Sequence, residues 1–220
     1  MPTTEAPARN RPREPGLAWL AGAYLLAVGA MFGAGYQLTL HRAERLWVLA
    51  NGLPSSWLAA DAWVPFWAPA LVPYASINLA YPAAFFLCRD LRELQGLALR
   101  LMAVQALAFT AFWQWPLRLA HPRPELSGPW AEAYGWLGWF DRPYNLVPSL
   151  HVAALVVLWA AGCRRFGPRA RPWLHAWALA VALSTLLSWQ HHLLDVAAGA
   201  ALGALASLSA GGRAAWRRRS

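Results

Sequence analysis

Long runs without charged side chains constrain this sequence more than any other feature. Each of six such runs is close to or above the ~17–25 residues with which a helix crosses a bilayer. They cover 15–41, 62–88, 101–117, 143–163, 172–194 and 196–212. Charged residues make up only 13% of the chain and hydrophobic residues 58%, which does not suit the water-facing surface of a soluble domain. The sequence therefore predicts an all-α fold, a polytopic membrane bundle of about six transmembrane helices.

The arginines between these runs predict the orientation of the bundle. With the N-terminus in the cytoplasm, we expect spans near 17–40, 64–88, 99–117, 145–163, 173–190 and 191–211. This arrangement places 14 of the 19 arginines on the cytoplasmic side, as the excess of Lys and Arg in cytoplasmic loops requires. The net charge of +9 is then explained by topology and anionic membrane lipids, so no nucleic-acid partner is expected. Because all basic residues are Arg and Ala and Trp are abundant, we expect a GC-rich bacterial source and its inner membrane.

The chain reads as one membrane unit between two tails. We expect a disordered cytoplasmic tail over 1–16, a membrane domain over 17–212 and a basic cytoplasmic tail over 213–220. The first apolar run is too long for the core of a signal peptide, so we expect it to be retained as a helix. The charge-free stretch 46–60 contains Gly and Pro, which favours an interfacial or re-entrant segment, with a seventh span as the alternative.

Three polar clusters interrupt the apolar chain, and the predicted topology places all three on the outer side. The third cluster contains His191 and Asp195, which four-residue spacing would place on one face of a helix. A carboxylate beside an imidazole fixes its tautomer and raises its basicity, as a nucleophilic histidine requires. His192 can take the same role by spacing alone, although we expect it to face lipid headgroups or a neighbouring helix. A structural polar cap is the remaining explanation for this cluster.

The other two clusters have the chemistry of a phosphate site. Pro148 and Ser149 predict a helix N-terminus that Ser149 caps, and open backbone N–H groups there attract an anion beside His151. In the first cluster, Arg123 lies between two prolines, and its guanidinium offers bidentate contacts to phosphate oxygens. The joint placement of a rigid Arg, a helix-start His and a His–Asp pair favours a phosphate site over separate structural residues.

Taken together, these residues resemble the type 2 phosphatidic acid phosphatase superfamily of integral membrane phosphatases and phosphotransferases. The resemblance covers about 60–212 and rests on three ordered motifs: Arg123-Pro124, then Pro148-Ser149-Leu150-His151, then Ser184-Thr185 followed by His191 and Asp195. Pro116 stands where the first motif has a basic residue, for which Arg118 is a substitute. Leu150 replaces a glycine and Thr185 an arginine. In these departures the chain is similar to the inositol phosphorylceramide synthase-like subgroup and to the membrane domain of bacterial fusions with a dual-specificity phosphatase.

The resemblance implies a role for each matching residue. His191 attacks phosphorus and forms a phosphohistidine, Asp195 orients it, and His151 protonates the leaving oxygen. Arg123 and Ser149 hold the phosphoryl oxygens, with Arg118 as a further phosphate-binding residue. Neither a metal nor another cofactor is implied.

The expected function is a lipid phosphate phosphatase that acts at the outer face of the inner membrane. Its expected substrate is a lipid phosphate or isoprenoid phosphate, and its other expected partners are membrane lipids. The sequence does not predict an oligomeric state. The alternative is a phosphotransferase that moves a phosphate-bearing head group to an acceptor alcohol. A further alternative is a metal-binding membrane protein that uses His151, His191, His192 and Asp195 as ligands.

One further pattern concerns packing. Gly199 and Gly203 form a Gly-x-x-x-Gly in the last predicted span, which lets two helix backbones approach closely. We expect this contact within the chain rather than between two copies.

Overall fold

The computed structural model describes residues 14–50, 52–120 and 124–216, and within them the chain is entirely helical, without a β-strand. Seven α-helices follow one another: α1 (Leu17–Leu49), α2 (Leu71–Leu87), α3 (Leu91–Gln114), α4 (Gly128–Phe140), α5 (Leu150–Arg165), α6 (Arg171–Leu187) and α7 (Leu193–Trp216). Short 3₁₀ turns cover Ala59–Trp63 and Ala68–Ala70. The all-α prediction is confirmed. Most of the two predicted tails, and Arg123, lie outside the described residues.

Among the described residues, three helical segments are long and apolar enough to cross a membrane. They are Leu17–Leu49, Ala68–Leu87 and Leu91–Gln114, each of which keeps its backbone hydrogen bonds internal, as a bilayer requires. The other three predicted spans coincide with α5, α6 and α7. Of these, α5 and α6 have 16 and 17 residues, at or below the usual minimum for a crossing helix.

Two connecting segments fold differently from each other. The polar stretch 118–144, between the third and fourth predicted spans, contains α4, because its Trp-rich segment buries Tyr134 against Leu71 and Tyr74. The charge-free stretch 46–60 does not form a helix of its own. Its first residues end α1, residues 52–58 are non-helical, and a 3₁₀ turn follows, so the described part of this stretch contains no seventh helix.

The helices α5 and α7 cross in close contact near their N-termini. A Cβ atom at Gly199 would lie 2.4 Å from the carbonyl oxygen of Ser149, and one at Gly203 would lie 2.5 Å from that of Ala153. Any side chain at these positions would therefore collide with the backbone of α5. The predicted close contact within the chain is confirmed, and it brings the N-termini of α5 and α7 together.

The opposite end of the bundle carries many of the arginines. There the N-terminal part of the chain meets the α2–α3 turn, since Glu14 N donates to Arg89 O at 3.1 Å. Arg165 Nε donates to Leu87 O at 3.2 Å in the same region. The polar clusters and the arginine-rich segments thus lie at different ends of the molecule.

Candidate active site

The start of α7 organises the third polar cluster. Because α7 begins at Leu193, His191 precedes the helix and Asp195 lies in its first turn, so the pair is not on one helix face as predicted. Asp195 Oδ2 accepts the backbone N–H of His192 at 2.8 Å and lies 3.3 Å from His191 Nδ1. Asp195 is fully buried. One carboxylate therefore caps the helix and holds the imidazole.

The turn between α6 and α7 fixes the backbone of His191. The backbone N–H groups of Gln190 and His191 both donate to Thr185 O, at 3.0 and 3.1 Å. The Thr185 hydroxyl donates to Ala182 O at 2.7 Å, and the residue is buried. Thr185 thus acts through its carbonyl group, at the position where the motif has an arginine. With Nδ1 at Asp195, Nε2 is the nitrogen of His191 that is left for chemistry.

His151 is the second residue of α5. Its ring stacks on the phenol ring of Tyr74 with centroids 4.1 Å apart and planes at 16°. Its Nε2 is buried and has no hydrogen-bond partner among the described residues, which is costly for a polar atom unless a ligand supplies one. His151 and His191 line the same cavity, whose volume is about 610 Å³.

Ser149 connects the N-termini of α5 and α7. Its hydroxyl accepts the N–H of Val152 at 3.3 Å, so the predicted N-cap is confirmed. Its own N–H donates to Asp195 O at 2.9 Å. Ser149 is fully buried and does not line the cavity, and these bonds link the starts of α5 and α7. Its contact with phosphoryl oxygens stays a prediction.

The described arginines do not line the cavity. The guanidinium of Arg118 lies 3.9 Å from the ring centroid of Trp47, and its backbone pairs with Tyr144. Arg142 forms an ion pair with Glu44. Burial raises the pKa of Tyr144, and the positive charge of Arg118 opposes this shift. Arg123, the predicted phosphate ligand, lies in the undescribed segment 121–123.

His192 is buried against non-helical residues, which corrects the prediction that it faces lipid headgroups or a neighbouring helix. Its Nε2 lies 3.2 Å from the backbone N of Ala120 and 3.3 Å from Ser55 Oγ. Trp57 packs edge-to-face on its ring, with centroids 5.5 Å apart. The sequence could not show this contact, because the non-helical residues that fold over the start of α7 come from distant parts of the chain. His192 supports the segment that leads to Arg123.

Asp61 belongs to the site but was missed in the sequence. It is buried, and its Oδ1 accepts the N–H of Leu193, the first residue of α7, at 2.8 Å. Its Oδ2 accepts the N–H of Leu58, also at 2.8 Å. The available signal was its isolation, since it is the single charged residue between Arg45 and Arg89.

A second acidic residue, Asp141, lines the cavity itself. It accepts hydrogen bonds from the hydroxyl groups of Tyr36 and Tyr74, the latter at 2.9 Å. Since the Tyr74 ring also stacks on His151, the contact from Asp141 to Tyr74 helps to orient that histidine. No pattern in the sequence paired Asp141 with residues so far away.

The geometry suits transfer of a phosphoryl group to nitrogen. It offers an imidazole oriented by a buried carboxylate and a second imidazole that lines the same cavity and has a nitrogen without a partner among the described residues. The metal-binding alternative required His192 as a ligand together with the other two histidines, but its Nε2 lies beside the backbone N of Ala120. Among the described segments, no three His, Cys, Asp or Glu side chains could together hold a metal ion. Comparison with known proteins found no matching family model, no similar curated protein and no similar solved structure. The resemblance to the phosphatase superfamily stays a prediction from its motifs.

Proposed function

We propose that this protein is an integral membrane lipid phosphate phosphatase that works through a phosphohistidine on His191. The observation that carries the proposal is the single cavity shared by His191, which buried Asp195 orients, and by His151, whose Nε2 has no partner among the described residues. A nucleophile, its orienting carboxylate and a potential acid are the parts that covalent phosphoryl transfer needs.

The reaction has two balanced steps. His191 Nε2 attacks phosphorus, the bond to the lipid oxygen breaks, and protonated His151 gives its proton to that oxygen. Water then attacks the phosphohistidine, His151 takes up the proton that water loses, and inorganic phosphate leaves. The carboxylate of Asp195 stabilises the positive charge that His191 gains in the first step. In this proposal Arg123, three residues after Ala120 in the sequence, provides charge for the phosphoryl oxygens.

The surroundings of the histidines favour a lipid substrate. Much of the cavity wall is apolar and comes from α1, α2 and α3, including Leu25, Phe32, Ile77 and Leu101. These helices contain the three segments that can cross a membrane. The proposal includes six spans in the bacterial inner membrane, with the site at the outer face, because the arginine-rich end then lies in the cytoplasm.

Phosphate release by the purified full-length protein tests the proposal. Phosphatidic acid, phosphatidylglycerol phosphate and isoprenyl diphosphates are supplied separately, with EDTA present. We expect release from at least one of them and loss of release in His191→Ala. His175→Ala is the matched control, because His175 is exposed and bonded to Trp159 on the neighbouring helix.

Each other result has a defined meaning. Release that stops with EDTA and returns with zinc or magnesium supports the metal-binding alternative. Transfer of the labelled phosphate-bearing group to an added alcohol, with little free phosphate, shows the phosphotransferase alternative, which uses the same residues. Equal activity in His191→Ala and wild type contradicts the proposed nucleophile.

A further inference from the structure

The cavity has a polar side that the phosphate chemistry does not use. Gln105 of α3 and Tyr81 of α2 both line it, within helices that can cross a membrane. Gln105 is 3% exposed. Its Nε2 donates to the hydroxyl oxygen of Tyr81 at 3.2 Å. Polar side chains at such depth are expensive and generally serve a function.

The pair has unused hydrogen-bonding capacity that faces the cavity. Gln105 Oε1 is buried without a partner in the part of the chain that the structure describes, and a buried unsatisfied group costs about 1–3 kcal/mol. The Tyr81 hydroxyl accepts the bond from Gln105, so its proton is available to another acceptor. Together the two side chains offer one acceptor and one donor to an uncharged ligand group.

The spacing of Tyr74 and Tyr81 along α2 is comparable to the length of a lipid phosphate from its phosphorus to its linkage group. Tyr74, which stacks on His151, and Tyr81 are seven residues apart on α2, or roughly 10 Å along the helix axis. In a glycerolipid phosphate, six bonds separate phosphorus from the nearest ester carbonyl oxygen. At about 3.8 Å per three bonds, this is roughly 8 Å. A phosphate beside His151 would thus bring the linkage group to about the level of Tyr81, to which Gln105 is hydrogen-bonded.

Two further polar residues of the cavity wall lie at the protein surface. Gln37 of α1 and Asn78 of α2 line the cavity at exposed positions. Asn78 lies one helical turn after Tyr74 and therefore between the histidine and the Gln105–Tyr81 pair. A polyprenyl chain carries only hydrocarbon at this depth, so it would leave these groups unpaired.

We propose that Gln105 and Tyr81 bind the uncharged linkage group of the substrate, an ester, amide or hydroxyl between phosphate and chains. The site therefore selects lipid phosphates with oxygen- or nitrogen-containing linkages over polyprenyl phosphates. This inference rests on the proposed function and names its substrate class. Sites built to hydrogen-bond a substrate group discriminate strongly against analogues that lack it.

The test compares phosphatidic acid with geranylgeranyl phosphate on the purified full-length protein. We expect wild type to have the higher kcat/KM for phosphatidic acid. Gln105→Leu should lower that value about tenfold, the effect of one lost hydrogen bond, and change the value for geranylgeranyl phosphate less than twofold. The control is Gln95→Leu, since Gln95 is on the same helix and also donates to a tyrosine hydroxyl, Tyr24, at 3.2 Å, but is exposed.

A binding measurement separates failure of this inference from failure of the proposed function. Diacylglycerol and geranylgeraniol, which carry no phosphate, are added to wild type and Gln105→Leu, and Tm is recorded. Diacylglycerol should raise Tm more in wild type than in the variant, whereas geranylgeraniol should shift both equally. If neither phosphate is hydrolysed but this difference appears, the linkage site stands and the proposed function fails. If Gln105→Leu affects both lipids equally, or neither, in both measurements, the inference is overturned.

Discussion

At the scale of residues, Asp195 joins folding to chemistry. Its Oδ2 accepts the N–H of His192 while it lies beside Nδ1 of His191, so the group that starts α7 also fixes the candidate nucleophile. The sequence correctly suggested that His191 and Asp195 interact. It could not show that the pair spans the beginning of a helix, because the helix boundary depends on contacts from Asp61 and Thr185.

Replacing Asp195 with Asn tests this double role. Asn keeps an oxygen that can accept the backbone N–H but loses the negative charge, so the fold should persist while turnover falls between about 10²- and 10⁴-fold. Steady-state kinetics and a thermal melt measure the two effects. Unchanged kcat with a folded variant would show that the carboxylate charge has no catalytic role.

The neighbouring His192 should behave differently. His192→Ala removes the partner of Ala120 N and Ser55 Oγ, which should lower stability by about 1–3 kcal/mol and reduce activity through the loop that leads to Arg123. The variant should still form the phosphoenzyme. If folded His192→Ala formed no phosphoenzyme while His191→Ala stayed active, His192 would be the nucleophile and His191 the structural residue.

At the scale of elements, the apolar runs predicted the long helices, whereas the connecting segments could not be predicted. Charge-free length is a local property, and so the positions of α1, α2, α3, α5, α6 and α7 follow from it. The short helix α4 and the non-helical residues 52–58 take their form from tertiary contacts, as with Tyr134 and Leu71. The three polar clusters are also local features of the sequence and could be predicted. Asp61 and Asp141 support them through tertiary contacts, which the sequence does not show.

Asp61 provides a prediction at the scale of elements because it caps α7 from another part of the chain. Asp61→Ala leaves the N–H groups of Leu193 and Leu58 without their acceptor, which should lower stability by about 1–3 kcal/mol and also reduce activity. Asp90→Ala removes a comparable cap, since Asp90 accepts the N–H of Glu93 at 2.8 Å, but at the other end of the bundle. Equal loss of activity in both variants would mean that the effect comes from stability alone.

At the scale of the whole molecule, the separation of charge from the site makes the orientation testable. The histidines lie at one end of the bundle, and Arg89 and Arg165 lie at the other. The positive-inside rule is the reason for our proposal that the site lies outside the cytoplasm. This proposal depends on the distribution of charge along the chain and not on any single contact.

Cysteine labelling in intact cells measures that orientation. In a chain whose Cys88 and Cys163 are replaced, Ser127→Cys should react with an impermeant thiol reagent from outside, because Ser127 is exposed near the site end. Arg169→Cys, at the arginine-rich end, should react only after the membrane is permeabilised. The reverse pattern would move the site to the cytoplasm.

Location of the phosphorylated residue tests the central claim most directly. The full-length protein is mixed with radiolabelled substrate, quenched in alkali within milliseconds to seconds, digested and analysed by mass spectrometry. We expect an acid-labile phosphate on His191, present in wild type and His175→Ala and absent in His191→Ala. Phosphate on His151 or His192, or turnover without any phosphoenzyme, would contradict the account.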